Sequence, residues 1–212
     1  MKTLIAMPCM DTVQTTFMLS LLGMRPTGEI EFTATTSSLI YDARNILAKK
    51  AMTGGFDRVL WLDTDVVFEP DLFTRLSKHL DDGLEYISAL YFKRKDPIEP
   101  VIYDYVGMEL LPSGEQKPTA KIMRDYPKGL FEVEATGMGA VMMTTELIDK
   151  VAREYGLPFS PALGFGEDLS FCMRARQLNV KLYCDSTIKL GHIRYQTVTE
   201  EVYKLIQKGI EK

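Results

Sequence analysis

The sequence has few histidines and cysteines and no long run of basic residues. It contains 2 histidines and 3 cysteines among 212 residues, and the cysteines show no metal-ligand spacing. Cys172 and Cys184 lie in apolar patterns, which indicates core thiols in a reducing compartment. The net charge is −4 without a long basic run, so we expect no nucleic-acid partner.

Long apolar runs are also absent. No stretch approaches the roughly 18 uninterrupted apolar residues of a membrane-spanning helix. The N-terminus begins like a signal peptide, but Pro8 and Asp11 interrupt its apolar run too early for one. We therefore expect no transmembrane segment and a cytoplasmic protein. The apolar content of 46% and the charged content of 25% are ordinary for a globular protein with one core.

The stretch from Arg58 to Phe68 opens as an apolar run that is typical of a strand buried on both faces. Alternate residues of an extended chain point the same way, so Asp63 and Asp65 can face one site beyond that strand. Two carboxylates at such a short distance repel each other. A hard cation such as Mg²⁺ or Mn²⁺ would relieve the repulsion and could connect the carboxylates to a diphosphate. The same acids could instead be turn or helix-capping residues.

Strand-like and helix-like segments alternate from the start of the chain. Thr3 to Met7 is typical of a buried strand, and Pro8 ends it before a helix that runs to about Leu22. This order predicts an α/β sheet that binds its ligand at the carboxyl ends of its strands. We predict one domain over residues 1–212, with an irregular insertion at about 95–130 that is rich in proline, glycine and charge.

The segment from Asp42 to Ala51 is predicted to be an amphipathic helix. Its apolar face is expected to hold Ala43, Ile46, Leu47 and Ala51. Arg44 lies off that stripe, where its guanidinium could clamp a phosphate, although a solvated surface arginine would show the same pattern.

Two later features are further candidates. Gly137 and Gly139 interrupt an apolar strand pattern, which often marks the close approach of a ligand or another backbone. Glu167 and Asp168 open a helix after a glycine-rich loop, and they could be plain N-terminal helix acids.

Four segments in this order resemble the motifs of glycosyltransferases with the GT-A fold, particularly those of family 2. They are Ala43-Arg44-Asn45, Asp63-Thr64-Asp65, Gly166-Glu167-Asp168 and Gly191-His192. The resemblance implies a single-domain, Rossmann-like GT-A fold with a mixed, mostly parallel sheet flanked by helices.

The resemblance also implies an activity and roles for individual residues. A sugar would move from a nucleotide-diphosphate donor, a UDP- or GDP-sugar, to a hydroxyl of a glycan or other acceptor. Asp65 and His192 would bind Mn²⁺ or Mg²⁺, and Asp63 would contact the ribose or the metal. Asp168, with Glu167 beside it, would be the general base of an inverting reaction and would stay ionised. The donor site would also include Pro8, Met10, Asp11, Arg44 and Thr64.

The chain lacks the Gln-x-x-Arg-Trp signature of processive synthases, so a transferase would add one sugar per encounter.

The resemblance leaves two other functions open. Residues Asp63 to Val67 also fit the Asp-x-Asp-x-Thr/Val motif of haloacid-dehalogenase-type phosphatases, in which Asp63 would be a covalent nucleophile. The third possibility is a non-catalytic protein of this fold that binds a nucleotide or a glycan.

Overall fold

The computed structural model describes residues 1–195, 197 and 199–210. The strands, in chain order, are β1 (Lys2–Cys9), β2 (Glu29–Thr36), β3 (Arg58–Leu62), β4 (Val66–Val67), β5 (Tyr86–Leu90), β6 (Ile102–Leu110), β7 (Gln116–Ile122), β8 (Leu130–Val133), β9 (Ala135–Thr136), β10 (Ala140–Thr144), β11 (Leu182–Lys189) and β12 (Gly191–His192). The helices are α1 (Thr15–Gly23), α2 (Ile40–Thr53), α3 (Leu72–Asp81), α4 (Thr145–Tyr155), α5 (Glu167–Gln177) and α6 (Glu200–Ile210).

Seven of these strands form a central sheet in the order β2-β1-β3-β10-β5-β11-β8. Strands β1, β2, β3, β5 and β11 run in one direction, and β10 and β8 run against their neighbours. Helices flank the sheet, so the predicted single α/β domain with a mixed, mostly parallel sheet is confirmed.

The core lies on both faces of this sheet because successive side chains of a strand point to opposite sides. Trp61 of β3 belongs to a cluster that includes Leu47 of α2 and Phe171 of α5. Its neighbour Leu60 belongs to a second cluster, which includes Phe17 of α1 and Phe73 of α3. The sheet is therefore a middle layer, and its buried strands show the continuous apolar runs that such a position requires.

The carboxyl ends of the parallel strands share one edge of the sheet, and the antiparallel β10 begins at that edge. The backbone N–H of Asp63, just past β3, donates to the carbonyl of Gly139, just before β10, at 3.0 Å. Residues that follow β1, β3, β5 and β11 therefore converge at this edge, as the α/β pattern predicts.

The insertion at about 95–130, which we predicted to be irregular, contains an antiparallel hairpin. Strands β6 and β7 pair from Tyr103 opposite Ile122 to Leu110 opposite Gln116, and β9 pairs with the other side of β6. Gly114 takes a positive φ of 85° in the connecting turn. The composition was misleading because many of these residues, such as Gly114, Lys117 and Pro118, lie in the turn or at exposed positions of the hairpin.

The buried face of α2 also differs from the prediction. The helix begins at Ile40, and its buried residues are Ala43, Arg44, Asn45, Leu47, Ala48 and Ala51. Ile46, predicted to face the core, is 55% exposed, whereas Arg44 is 2% exposed. The small alanines let the helix pack closely on the sheet, and that orientation buries Arg44.

No helix among the described residues is long and apolar enough to cross a membrane.

Candidate active site

A cleft of about 430 Å³ lies at the carboxyl edge of the sheet, a size typical of small-molecule sites. It collects most of the residues that the sequence singled out: Pro8, Met10, Arg44, Asp63, Thr64, Asp65, Glu167 and Asp168. Asp11 is exposed and lies outside the lining of the cleft. His192 is not part of the lining either, but it contacts Asp65.

Arg44 lies at the centre of a buried cluster of charged side chains and binds the other two members. Its Nη2 donates to Asp63 Oδ1 at 2.7 Å, and its Nε donates to Glu167 Oε1 at 3.2 Å. Burial alone would lower the pKa of Arg44, but the charges of Asp63 and Glu167 outweigh it and raise the pKa. Burial raises the pKa of Asp63, against the effect of Arg44. The guanidinium that we predicted to be solvated or to clamp phosphate is therefore buried and bound to two carboxylates through Nε and Nη2, while its Nη1 has no hydrogen-bond partner among the described residues.

Asn45, the next residue of α2, holds the loop that leads to α5. Its Oδ1 accepts a hydrogen bond from the backbone N–H of Phe159 at 3.0 Å. The ring of Phe159 stacks on Phe171 and meets Trp61 edge-on, with centroid distances of 4.7 Å and 4.9 Å. Arg44 and Asn45 together thus tie β3 and the α5 region to one helix. Sequence reasoning gave Asn45 no role, because its partner lies 114 positions away.

A short antiparallel pairing of β4 with β12 brings His192 to Asp65. His192 lies opposite Val66 in this pairing, and Gly191 lies opposite Val67, whose side chain would clash with a Cβ at that position. The imidazole Nε2 is 3.3 Å from Asp65 Oδ2, and Nδ1 is 2.8 Å from the carbonyl oxygen of Phe92. This carbonyl is an acceptor, so Nδ1 carries the proton and donates it.

The charges around Asp65 favour its ionised form. Burial acts to raise the pKa of Asp65, but His192 and Arg94 outweigh it and lower the pKa. The hydrogen bond with Asp65 raises the pKa of His192 in turn. Because Nδ1 is fixed as a donor, Nε2 either holds a second proton toward Asp65 or offers its lone pair to a cation.

Asp65 and His192 fit two positions of a divalent cation site. Adjacent ligands of an octahedral Mg²⁺ lie about 3 Å apart, close to the observed 3.3 Å between Nε2 and Oδ2. The bond from Nδ1 to a backbone carbonyl is a usual support for a metal-binding histidine. Asp63 was predicted as a third ligand, but its carboxylate is bound to Arg44. Within the described residues no cluster of three or more ligating side chains is formed.

Asp168 and Glu167 form the first turn of α5 at the other side of the cleft. Burial and then the charge of Glu167 raise the pKa of Asp168 to about 6. We expected the helix terminus and a nearby metal to keep this acid ionised, and a pKa of about 6 leaves it ionised at neutral pH. Its pKa is nevertheless raised, because burial outweighs the hydrogen bond from the Leu169 N–H to Asp168 Oδ1, which is 2.7 Å long.

Tyr91 fills the space that the glycines before β10 leave open. A Cβ at Gly137 would overlap the Tyr91 hydroxyl, and a Cβ at Gly139 would come within 3.0 Å of its ring. The close approach predicted at these glycines is therefore that of a side chain. Tyr91 also lines the cleft and meets the His192 ring edge-on at 5.6 Å between centroids. In the sequence Tyr91 begins the segment Tyr91-Phe92-Lys93-Arg94-Lys95, an aromatic pair followed by three basic residues.

Comparisons with known proteins show the fold. No family model matches the sequence, and no curated protein matches it. The structure is similar to that of A197 from STIV, with a TM-score of 0.66 and 20% identity over 92% of this chain and 87% of that one. It is also similar to GalNAc-T7 solved with UDP, GalNAc and Mn²⁺, with a TM-score of 0.59 and 13% identity over 92% of this chain and 43% of that one. The chain therefore has a GT-A-like fold and spans less than half of the length of GalNAc-T7.

Proposed function

We propose that this chain is a metal-dependent glycosyltransferase that moves a sugar from a nucleotide-diphosphate sugar to an acceptor hydroxyl. The observation that carries this proposal is the position of Asp65, next to His192, and of Asp168 in one cleft of a GT-A-like fold. The structurally similar GalNAc-T7 was solved with UDP, GalNAc and Mn²⁺, which favours the same classes of donor and metal here. The acceptor would be a glycan or another molecule with a free hydroxyl.

The two sides of the cleft suggest different tasks. Asp65 and His192 would hold Mn²⁺ or Mg²⁺, which would bind the donor diphosphate and stabilise its departure. Pro8 and Met10 lie at the end of β1, where the base of the donor would stack. Asp63 stays available to a ribose through its second carboxylate oxygen, because Arg44 holds Oδ1.

Asp168 would be the general base that takes the proton of the acceptor hydroxyl. With a pKa of about 6 it is ionised at neutral pH and is a stronger base than an ordinary aspartate. Attack of the deprotonated oxygen on the sugar carbon, with departure of the nucleoside diphosphate, inverts the configuration at that carbon. The reaction would transfer one sugar per encounter.

The phosphatase alternative is less compatible with this geometry. It would require Asp63 as a covalent nucleophile, but Arg44 binds its carboxylate and lies between Asp63 and Glu167. A non-catalytic binding protein would show nucleotide binding without turnover, so a measurement of turnover separates it from the transferase.

A thermal-shift screen of nucleoside diphosphates with Mn²⁺ would first identify the base, since a ligand of the native state raises its stability. Turnover of the matching sugar nucleotide is then compared for the wild type and Asp168→Asn. We expect turnover to fall by about 10² to 10⁴ while donor affinity is retained.

The matched control is Asp149→Asn, which changes an acid on α4 that pairs with Arg153 outside the cleft. It should leave turnover unchanged. A parallel loss of donor affinity in Asp168→Asn would instead make Asp168 a donor-site residue. An inactive Glu167→Gln beside an active Asp168→Asn would reverse the two assignments, and a product with retained configuration would exclude the single-displacement role.

A further inference from the structure

One oxygen of Asp65 is shared by two groups with different functions. Asp65 Oδ2 lies 3.3 Å from His192 Nε2, and the same oxygen accepts a hydrogen bond from Arg94 Nη1. A divalent cation that binds Oδ2 and Nε2 would bring its positive charge to the place where the guanidinium now lies. Arg94 and the cation therefore compete for one carboxylate oxygen.

Arg94 also borders a second cavity, of about 540 Å³, beside the proposed metal pair. Its lining includes Arg94, Lys95, Asp96, Ile193, Arg194 and Tyr195. The backbone N–H of Ile193 donates to the Asp65 carbonyl at 2.8 Å, which fixes this cavity next to Asp65. Arg94 lines both this cavity and the cleft, so its side chain can reach either of them.

The second cavity has an excess of positive charge. Asp96 is its acidic residue, and Arg194 binds both of its carboxylate oxygens at 3.1 Å. Lys95 forms no ion pair within the part of the chain that the structure describes. Arg94 would add a further positive charge once it left Asp65. An anion is the ligand that such a cavity favours.

Arg44 is poorly placed to exchange its partners for a diphosphate in the cleft. The guanidinium of Arg44 is buried between Asp63 and Glu167, and its removal from them would leave two carboxylates unpaired. Arg94 is half exposed, and the breaking of an exposed ion pair costs little. Arg94 is therefore the arginine of the cleft that is free to change partners.

We propose that Arg94 holds Asp65 in the metal-free protein and, when a divalent cation takes its place, binds the donor diphosphate on the side of Lys95 and Arg194. The proposal rests on the proposed function, because that function supplies the metal and the diphosphate. It gives Arg94 two opposed effects: it weakens metal binding in the absence of the donor, and it strengthens diphosphate binding once the metal is present.

The first measurement is a titration with Mn²⁺ alone, followed by electron paramagnetic resonance, on the wild type and Arg94→Gln. Removal of the competing guanidinium should tighten Mn²⁺ binding about two- to fivefold, the range expected for an exposed ion pair. Arg153→Gln, which breaks an arginine–aspartate pair on the outer face of α4, is the matched control and should leave Mn²⁺ affinity unchanged.

The second measurement uses the manganese complex of inorganic pyrophosphate, which avoids the choice of a base. Arg94→Gln should bind this complex about tenfold more weakly, because it loses a charge-assisted hydrogen bond. Arg94→Lys should lose less, since it keeps the charge without the planar fork. Lys95→Gln should weaken pyrophosphate binding about threefold and leave the affinity for Mn²⁺ alone unchanged, because Lys95 makes no pair with Asp65.

Opposite signs in the two titrations of Arg94→Gln would support the proposal. Equal or weaker Mn²⁺ binding in that variant would overturn the competition, and unchanged pyrophosphate affinity in Arg94→Gln or Lys95→Gln would overturn the diphosphate role. A wild type that binds neither Mn²⁺ nor pyrophosphate would instead contradict the proposed metal-dependent function itself, so the two failures are distinguishable.

Discussion

Two groups of charges border the same cleft, and they differ in how much water reaches them. In the first group Arg44 is 2% exposed and binds Asp63 and Glu167. In the second group the Arg94 side chain is 51% exposed and shares Asp65 with His192. Both contain an arginine and a carboxylate from the segment that follows β3, but the first arginine is buried and the second is half exposed.

The comparison teaches that an arginine–aspartate pair can either stabilise the fold or exchange partners, depending on its burial. A buried ion pair cannot open without leaving charges unsolvated, whereas an exposed pair opens at little cost because water replaces either partner. The Arg44 group therefore positions Asp63 and Glu167 relative to each other. The Asp65 group is the one that can exchange its partner for a metal or a diphosphate.

The largest expected effect is the difference in stability when the arginine of each group is replaced by glutamine. Arg44→Gln should lower the free energy of unfolding by about 3–5 kcal/mol, because it leaves two buried carboxylates without their cation. Arg94→Gln should change it by less than about 1 kcal/mol. Urea unfolding at pH 7.5 measures both. A cost below about 1 kcal/mol for Arg44→Gln would mean that Asp63 and Glu167 relax into water, and the contrast would disappear.

The sequence alone predicted which residues lie close together most successfully where those residues follow strands. Asp65 and His192 are separated by 127 positions, yet Asp65 follows β3 and His192 follows β11, and both strands belong to the central sheet. Parallel strands bring their carboxyl ends to one edge, so ordered motifs after successive strands could be placed together without a structure. Asp168 opens a helix after a loop rather than following a strand, so only the resemblance to GT-A glycosyltransferases predicted it in one cleft with Asp63.

Prediction from the sequence was wrong where contacts with residues distant in the chain determine which side chains are buried. Helix periodicity assigned Ile46 to the core and Arg44 to the surface, but the partners of Arg44 lie 19 and 123 positions away. Hydrophobic pattern has no information about such partners. The role of Gly137 was hidden for the same reason, because it depends on where the Tyr91 side chain packs.

The next largest effect tests whether metal binding belongs to the second group alone. His192→Ala should weaken Mn²⁺ binding by about 10- to 100-fold, since it removes a ligand that is held in place by the Phe92 carbonyl. Asp63→Asn should leave the affinity for Mn²⁺ alone within about twofold, because the Asp63 carboxylate faces Arg44.

Calorimetric titration without nucleotide measures both variants, and thermal melting verifies that each is folded. Equal losses in the two variants would return Asp63 to the metal site, as the sequence motif first suggested. An unchanged affinity in His192→Ala would remove His192 from the site.

The smallest effect concerns Asp168, which lies beside the first group but forms no ion pair with any residue that the structure describes. Its pKa is about 6 in the folded protein and about 3.9 in an unfolded chain. The unfolded state therefore loses this proton at lower pH, and the native state is progressively destabilised as pH rises from about 4 to about 6. The full shift would correspond to about 3 kcal/mol, and partial exposure to solvent reduces the expected cost to about 1–2 kcal/mol.

Asp168→Asn removes that cost while its amide oxygen can still accept the Leu169 N–H. The variant should be more stable than the wild type by about 1–2 kcal/mol at pH 8 and equally stable near pH 3, where the aspartate is protonated in the native state and mostly protonated in the unfolded state. Urea midpoints at the two pH values measure the difference. The competing effect is the attraction of an ionised acid to the N-terminus of α5, about 0.3–1 kcal/mol in the other direction. A variant that is less stable than the wild type at pH 8 would show that this attraction exceeds the cost of burial beside Glu167.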